Sequence, residues 1–355
     1  MSGNKHRITA GESPEIVQTS LAGAIGMGLM KGRFLRDARC ECLNLLLTYD
    51  DGCKASCSYC GLSRNRAPVR TDTFIRVKWP TYTLPVIFGR LQSQVTPFRR
   101  ACVSMVTHPR ALDDTCTVIR KVKHHSDLPV SGLVSPSVMG GRQGFQRVFD
   151  AGADRVGIAI DAATPELFDR HRGKTVGGPH RWETYMKSFD HAVDVFGPFM
   201  VGVHLIVGLG ETEEQMVSMI DRAHAMGVLT HLFSFFPERG CAMENHAQPP
   251  LGQYRRIQLA RFLINENIAV RKEMSFSKEG KLMDFGVDIE PYVDLGVPFM
   301  TSGCPGNDGV MACNRPFGNE RASDPIRNYP FLPDARDRHI IRKQLEPAHA
   351  SPATE

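Results

Sequence analysis

Short apolar runs alternate with amphipathic stretches through the middle of the chain. Apolar positions recurring at helical spacing, several of them after a capping threonine, predict helices over 84–94, 112–124, 144–151, 182–196, 213–226 and 251–267. The β-rich runs between them predict strands over 42–49, 101–106, 128–134, 155–160, 200–207 and 229–235. Each strand–helix pair is long enough for a right-handed parallel crossover.

This alternation predicts an α/β fold, specifically a partial (β/α)6 barrel of the TIM type with N- and C-terminal extensions. An open doubly wound sheet is the alternative. We expect a barrel core over 41–270, preceded by an N-terminal extension over 1–40 that contains a helix at 17–31. A C-terminal region over 271–345 and a flexible, Pro- and charge-rich tail over 346–355 complete the predicted organisation.

The composition of the chain restricts the kinds of function that we expect. No apolar run reaches the ~18–20 residues that a membrane helix needs, so we expect no membrane insertion. The net charge of +5 is mild and the basic clusters are short, which gives nucleic-acid binding little support. Ten cysteines behind a polar start of the chain indicate a reducing cytoplasm, where thiols bind metals more often than they pair.

Three of these cysteines are closely spaced, as Cys53-x-x-x-Cys57-x-x-Cys60, directly after the first predicted strand. Thiolates at this spacing suit an iron–sulfur cluster, and three ligands on a four-iron cube leave one iron open to bind a reactant. A zinc site would pair the Cys-x-x-Cys with a second such motif or a histidine pair nearby, and none follows. In barrels of parallel strands, reacting groups gather in the loops after the carboxyl ends of the strands.

Two more strand ends carry candidate binding residues. Gly208-Leu209-Gly210-Glu211 lies between a predicted strand and a helix, where glycines let the backbone approach a ligand closely. A turn needed only for folding is the alternative. Asp161 ends the fourth predicted strand, and its carboxylate is suited to accept hydrogen bonds from ribose hydroxyls. Alternatively, Asp161 only terminates the strand.

A second cysteine set lies late in the chain, at Cys304 and Cys313, among Gly, Pro and Asn residues. Loop-like backbone of this kind can wrap a metal cluster, although two unrelated buried thiols would give the same pattern. A further ligand is needed, and Cys42 or Cys40 are candidates because residues two apart on a strand face the same way. Cys102, on the second predicted strand, is the next candidate.

The three-cysteine motif, with Tyr59 before its last cysteine, resembles the signature of the radical S-adenosylmethionine (SAM) superfamily. The run Ile206–Glu211 resembles the adenine-binding strand end of that superfamily. The resemblance implies a [4Fe–4S] cluster held by Cys53, Cys57 and Cys60, whose open iron binds SAM. An electron from a ferredoxin-like donor would then cleave SAM to methionine and a 5′-deoxyadenosyl radical. Cofactor contacts would come from Tyr59, Asp161, Ile206, Gly208, Gly210 and Glu211.

One position departs from that pattern. Where the superfamily often carries Gly-Gly-Glu after the second strand, this chain has Thr107-His108-Pro109.

The cysteine-containing run 42–53 and the Gly303-Cys304-Pro305 block together resemble the second subunit of archaeal-type two-protein lipoyl synthases. The resemblance implies an auxiliary [4Fe–4S] cluster, with Cys304, Cys313 and Cys42 among its ligands, that is sacrificed to insert sulfur into an octanoyl chain. The expected partners are the octanoyl- or lipoyl-carrier protein and the other synthase subunit.

Biotin synthase is a rival, and the chain is similar to it in the segment 59–63. Its smaller cluster uses cysteines from the second, third and fifth strands, of which only Cys102 has a counterpart. Another radical SAM enzyme, or a non-catalytic iron–sulfur scaffold, are the remaining alternatives.

Overall fold

A computed structural model describes residues 11–69, 73–74, 76–93, 95–313 and 325–345. Its strands, in chain order, are β1 (Ile16–Thr19), β2 (Cys42–Leu47), β3 (Thr73–Phe74), β4 (Val77–Lys78), β5 (Thr81–Thr83), β6 (Arg100–Ser104), β7 (Val130–Val134), β8 (Arg155–Asp161), β9 (Val201–Val207), β10 (Val228–Ser234), β11 (Ser275–Phe276) and β12 (Leu282–Asp284). The helices are α1 (Leu21–Gly26), α2 (Leu84–Ser93), α3 (Ala111–His125), α4 (Arg142–Asp150), α5 (Pro165–Arg172), α6 (Trp182–Phe196), α7 (Glu213–Ala225), α8 (Leu251–Asn265), α9 (Glu290–Leu295) and α10 (Ala335–Leu345).

The main sheet has the order β10-β9-β8-β7-β6-β2-β1-β5. Strands β2, β6, β7, β8, β9 and β10 are all parallel to their neighbours in this series. Each crossover between them passes through one or more of the predicted helices. The predicted partial (β/α)6 barrel is therefore confirmed, and the six predicted strands correspond to these six.

The prediction of a helix over 17–31 is wrong. Residues 16–19 form β1, which pairs antiparallel with β2 on one side and β5 on the other. Helix α1 begins only after Ser20, whose side chain accepts a hydrogen bond from Gly23 N at 3.0 Å. The β-branched Ile16 and Val17 favour a strand, and β1 covers the edge of β2 that the parallel series leaves open.

Burial along the strands separates the two faces of the barrel wall. In β8 the even-numbered residues Val156, Ile158 and Ile160 are at most 1% exposed, whereas the odd-numbered residues between them are only partly buried. Because side chains alternate along a strand, the even positions pack against the helices and the odd positions face the lumen of the barrel. The hydrophobic core therefore lies between the strands and the helices, and the lumen is less tightly filled.

The C-terminal region lies across one end of this lumen. Residues 301–313 lie against the amino ends of the barrel strands, where Asn307 Nδ2 donates to Asp127 O and the backbone of Pro305 accepts from Arg100. The region is fastened to α8 further along, because the buried Arg255 donates to the carbonyls of Ile326 and Arg327. The boundaries predicted for the N-terminal extension, core and C-terminal region stay predictions, and the tail 346–355 lies outside the described residues.

No helix within the described ranges combines the length and apolarity needed to cross a membrane.

We expect Arg255→Met to lower the free energy of unfolding by about 2–4 kcal/mol, because it leaves two buried carbonyls without their charged donor. Chemical denaturation with urea measures this loss. Arg342→Met is the matched control, since Arg342 is partly exposed where it pairs with Glu290 and Asp294 and should cost less than about 1 kcal/mol. Equal losses in the two variants would contradict the anchoring role of Arg255.

Candidate functional site

Cys53, Cys57 and Cys60 lie in the loop after β2, at the carboxyl end of the barrel strands. The loop is folded tightly, since Cys60 N donates to Cys57 O at 3.2 Å. Two backbone amides reach the sulfurs, from Ala55 N to Cys53 Sγ at 3.5 Å and from Leu62 N to Cys60 Sγ at 3.4 Å. Amides directed at sulfur favour the thiolate form, which is the form that binds iron.

The donor set fits an iron–sulfur cluster. Three thiol side chains lie in one short loop, and cysteine thiolates are the usual ligands of such clusters. Burial raises the pKa of Cys60 well above its usual value, and the neighbouring thiols Cys57 and Cys53 raise it further. Bound iron would stabilise the thiolate form against this effect.

Tyr59 connects the cysteine loop to the end of β8. Its hydroxyl donates to Asp161 Oδ2 at 2.5 Å, and Arg172 forms a buried ion pair with the same oxygen. Asp161 has φ +65°, a left-handed conformation that aspartate tolerates better than most residues, and the sheet register shifts next to it. Asp161 is therefore held at the predicted place, with one carboxylate oxygen committed to Tyr59 and Arg172.

The predicted glycine turn follows β9 directly. Gly208 has φ +106°, and a Cβ there would lie 2.6 Å from Pro249, so a larger residue would be strained and crowded. Glu211 is 6% exposed and accepts from Gly208 N at 2.7 Å and from Leu209 N at 2.9 Å. Both carboxylate oxygens thus hold the turn itself. Glu211 therefore fixes the shape of the turn backbone, and Ile206 and Gly210 lie on either side of Gly208.

His171, which the sequence did not single out, joins the cysteine loop to the glycine turn. Its Nε2 is 2.9 Å from Leu209 O, and its Nδ1 is 3.0 Å from Ser58 Oγ. A carbonyl only accepts, so Nε2 carries the proton and Nδ1 accepts from the serine hydroxyl. Burial lowers the pKa of His171, in keeping with this neutral form. The sequence gives only a weak signal for this role of His171, because basic residues are common at the C-terminal end of helices, where they interact favourably with the helix dipole.

The second cysteine set gathers at the other end of the barrel. Cys42, Cys102 and Cys313 form one buried cluster, and Cys304 packs against it. Cys42 begins β2, and Cys102 lies opposite Asn44 on β6, so both sulfurs face the lumen. The predicted grouping of Cys42, Cys304 and Cys313 is thus reproduced by the packing, and Cys102 joins it. Cys40 is buried outside this group.

The loop carrying the two late cysteines is folded back on itself. Cys313 N donates to Cys304 O at 2.9 Å. Gly303 is needed for this approach, because a Cβ there would lie 2.2 Å from Cys313 O. Residues 314–324, which follow Cys313, lie outside the described ranges.

A narrow cavity in the lumen begins at the second cysteine set. Cys102, Cys304 and Cys313 line it at one end, and Gly157, Gly202, His204, His231 and Phe233 are among the other lining residues. These residues lie on the inner face of β8, β9 and β10, so the cavity runs into the barrel from the amino ends of the strands. The first cysteine set lies at the opposite, carboxyl ends.

Comparison with known proteins identifies the family. Residues 48–223, about half of the chain, match the Radical SAM superfamily. The chain belongs to this superfamily, and membership implies a [4Fe–4S] cluster and SAM. No curated protein matches it.

The chain is similar to several solved structures at low sequence identity, and the similarity to the first shows a shared fold. HydG, a maturase of the [FeFe]-hydrogenase, is 12% identical with a TM-score of 0.51 over 64% of this chain and 51% of that chain. Methylornithine synthase (PylB) is 14% identical with a TM-score of 0.46 over 76% of this chain and 81% of its own. The radical SAM methyltransferase TsrM from Kitasatospora setae is 14% identical with a TM-score of 0.40 over 79% of this chain and 57% of its own.

We expect His171→Ala to weaken SAM binding by about 5- to 150-fold, because it removes two buried hydrogen bonds worth about 1–3 kcal/mol that align the cysteine loop with the glycine turn. Equilibrium binding of SAM to the iron-loaded protein measures the effect. His224→Ala is the control, since His224 Nε2 bonds Asn267 Oδ1 at 2.8 Å, far along the chain from both loops. Wild-type affinity in His171→Ala would refute the alignment role.

We expect His180 to make stability depend on pH. It is buried against Ser137 and Tyr185, and burial, with Arg172 and Arg181, lowers its pKa to about 2. Below about pH 6.5 the unfolded chain therefore binds a proton that the folded protein rejects, and stability falls by about 1.4 kcal/mol per pH unit.

Urea unfolding between about pH 6.5 and pH 5 tests this expectation. His180→Gln should remove that part of the slope, whereas replacement of the exposed His339 by Gln should leave the slope unchanged. An unchanged slope in His180→Gln would show that another group accounts for it.

Proposed function

We propose that the protein is a sulfur-inserting radical SAM enzyme that acts on an octanoyl chain attached to a carrier protein, as one component of a two-protein lipoyl synthase. The observation that carries this proposal is the second group of four cysteines, which lies on the lumen of the same barrel that carries the three-cysteine loop. A radical SAM enzyme with no second cluster would not need it.

The first group supplies the radical chemistry. Cys53, Cys57 and Cys60 would hold the [4Fe–4S] cluster, which together with SAM supplies a 5′-deoxyadenosyl radical. Around it the chain's own residues orient the nucleotide: the glycine turn offers close backbone approach, and Asp161 is held in place by Tyr59 and Arg172. The burial of these groups keeps water away from a reactive intermediate.

The second group would supply sulfur. Cys42, Cys102, Cys304 and Cys313 would hold an auxiliary [4Fe–4S] cluster, and four thiols match the usual ligand number of such a cluster. The two groups lie at opposite ends of the barrel strands, so a substrate that reacts at both must span the distance between them. An unbranched acyl chain on a carrier protein suits such a path better than a compact metabolite does.

The proposal includes partners. The octanoyl-carrier protein is the substrate, a second synthase subunit shares the reaction, and a ferredoxin-like protein donates the electron in the cytoplasm. These follow from the resemblance in the sequence and are tested by the assay below.

Biotin synthase chemistry has less support. Cys102 is present, but the residue opposite it on β7 is Ser131, and β9 carries Gly202 where a cysteine is expected. Two of the three strand cysteines of that enzyme are therefore absent from the inner wall. A non-catalytic scaffold would not require the bonded connection between the cysteine loop, Asp161 and the glycine turn.

The decisive assay uses anaerobically reconstituted, reduced protein with SAM. An octanoylated carrier peptide and dethiobiotin are offered separately, with and without a candidate second subunit, and sulfur addition is measured by mass. We expect sulfur on the octanoyl peptide, 5′-deoxyadenosine as coproduct, and about eight irons per chain. Sulfur addition to dethiobiotin alone would overturn the lipoyl assignment, and absence of 5′-deoxyadenosine would favour a scaffold.

Three variants assign the groups in that assay. Cys304→Ala should abolish sulfur addition and remove about four irons while SAM cleavage continues. Cys57→Ala should abolish SAM cleavage. Cys116→Ala is the control, because Cys116 is buried in α3 against Arg147 O, away from both groups, and should behave as wild type.

A further inference from the structure

Arg100 is a buried cation beside the second cysteine group. It is the first residue of β6 and lies directly opposite Cys42 on β2. Its side chain is 1% exposed. Burying a charge is costly unless it is paired and hydrogen-bonded, so the position calls for a compensating role.

The guanidinium joins three separate parts of the chain. Its Nε donates to Pro305 O at 2.5 Å, which fixes the residue next to Cys304. Its Nη1 donates to Ser131 Oγ at 2.7 Å, and both Nη atoms bind the Asp154 carboxylate at 2.7 Å and 2.6 Å. Arg100 thus fastens the late cysteine loop to β6 and to the beginning of β7.

Asp154 neutralises Arg100 only in part. Its side chain is 47% exposed, so water screens the carboxylate, while the guanidinium faces the buried thiols. The guanidinium lies opposite Cys42 across the β2–β6 pair and bonds the residue that follows Cys304, so its positive charge acts on the buried thiols.

We propose that Arg100 is a positioning residue of the second cysteine group, which fixes the loop of Cys304 and supplies positive charge that favours the reduced, more negative state of a cluster held there. This inference rests on the proposed function, because it needs a cluster at those cysteines. Net charge and hydrogen bonding near the sulfurs set the potential of an iron–sulfur cluster. The charge of Arg100 should make the cluster easier to reduce.

Replacing Asp154 should shift the midpoint potential in the direction opposite to that caused by replacing Arg100. Arg100→Gln removes a positive charge and should shift the midpoint potential of the auxiliary cluster to a more negative value. Asp154→Asn removes the carboxylate that opposes Arg100 and should shift it to a more positive value. Arg100→Lys keeps the positive charge but loses the paired hydrogen bonds of the guanidinium. It should leave the midpoint potential nearly unchanged, while the protein loses iron from the auxiliary cluster faster.

The full-length protein is measured in a Cys57→Ala background, so that only the auxiliary cluster contributes to an electron paramagnetic resonance titration. Iron per chain is determined in parallel. A purely structural role for Arg100 would lower iron content without opposite shifts in the two charge variants. Unshifted potentials in both variants, or shifts of the same sign, would overturn the inference.

The proposed function and the role of Arg100 are contradicted by different results. If the otherwise unmodified protein binds only about four irons, the auxiliary cluster and the proposed function fall together with the role of Arg100. If it binds about eight and the charge variants leave the potential unchanged, only the role of Arg100 falls. Should Arg100→Gln fail to fold, Asp154→Asn decides alone, because it alters a partly exposed side chain.

Discussion

The parallel pairing of β2 with β6 is the constraint on which both cysteine groups depend. β2 begins with Cys42 and leads into the loop of Cys53, so it connects the two ends of the lumen. Its register with β6 places Cys42 opposite Arg100, and Asn44 opposite Cys102. A shift of one residue would turn these side chains towards the helices and disperse the second group.

At the carboxyl ends of the strands, hydrogen bonds from α5 connect the cysteine loop to the glycine turn and to Asp161. The last two residues of α5, His171 and Arg172, contact the cysteine loop through Ser58 and Tyr59. His171 continues to the glycine turn, and Arg172 to Asp161. A short helix therefore sets the distance between the cysteine loop and the glycine turn. This explains why Asp161 is held in a strained conformation: the contacts from α5 and Tyr59 outweigh the cost.

The sequence predicted those features that are local. The alternation of apolar runs located the parallel strands, and the spacing of Cys53, Cys57 and Cys60 located the loop. Features that depend on register were not accessible: the sequence ranked Cys42 and Cys40 ahead of Cys102, and only strand pairing grouped Cys42 and Cys102 with Cys313. The same holds for β1. Its β-branched residues favour a strand, but four residues are too short a pattern to predict one, and the open edge of β2 that they pair with is visible only in the fold.

The separation of the two cysteine groups along the barrel strands also constrains the proposed reaction. Strands rise about 3.3 Å per residue, so Cys42 and the loop after β2 are held apart by the length of that strand, while Cys102 lies about two residues further in. In the proposed reaction, a carbon radical formed near the first group would have to meet sulfur from the second. The cavity beside Cys102 and His204 is the space next to the second group where the two would meet. Residues 301–313 lie against the amino ends of the strands, so the proposed reaction has the acyl chain enter from the carboxyl ends, past the three-cysteine loop.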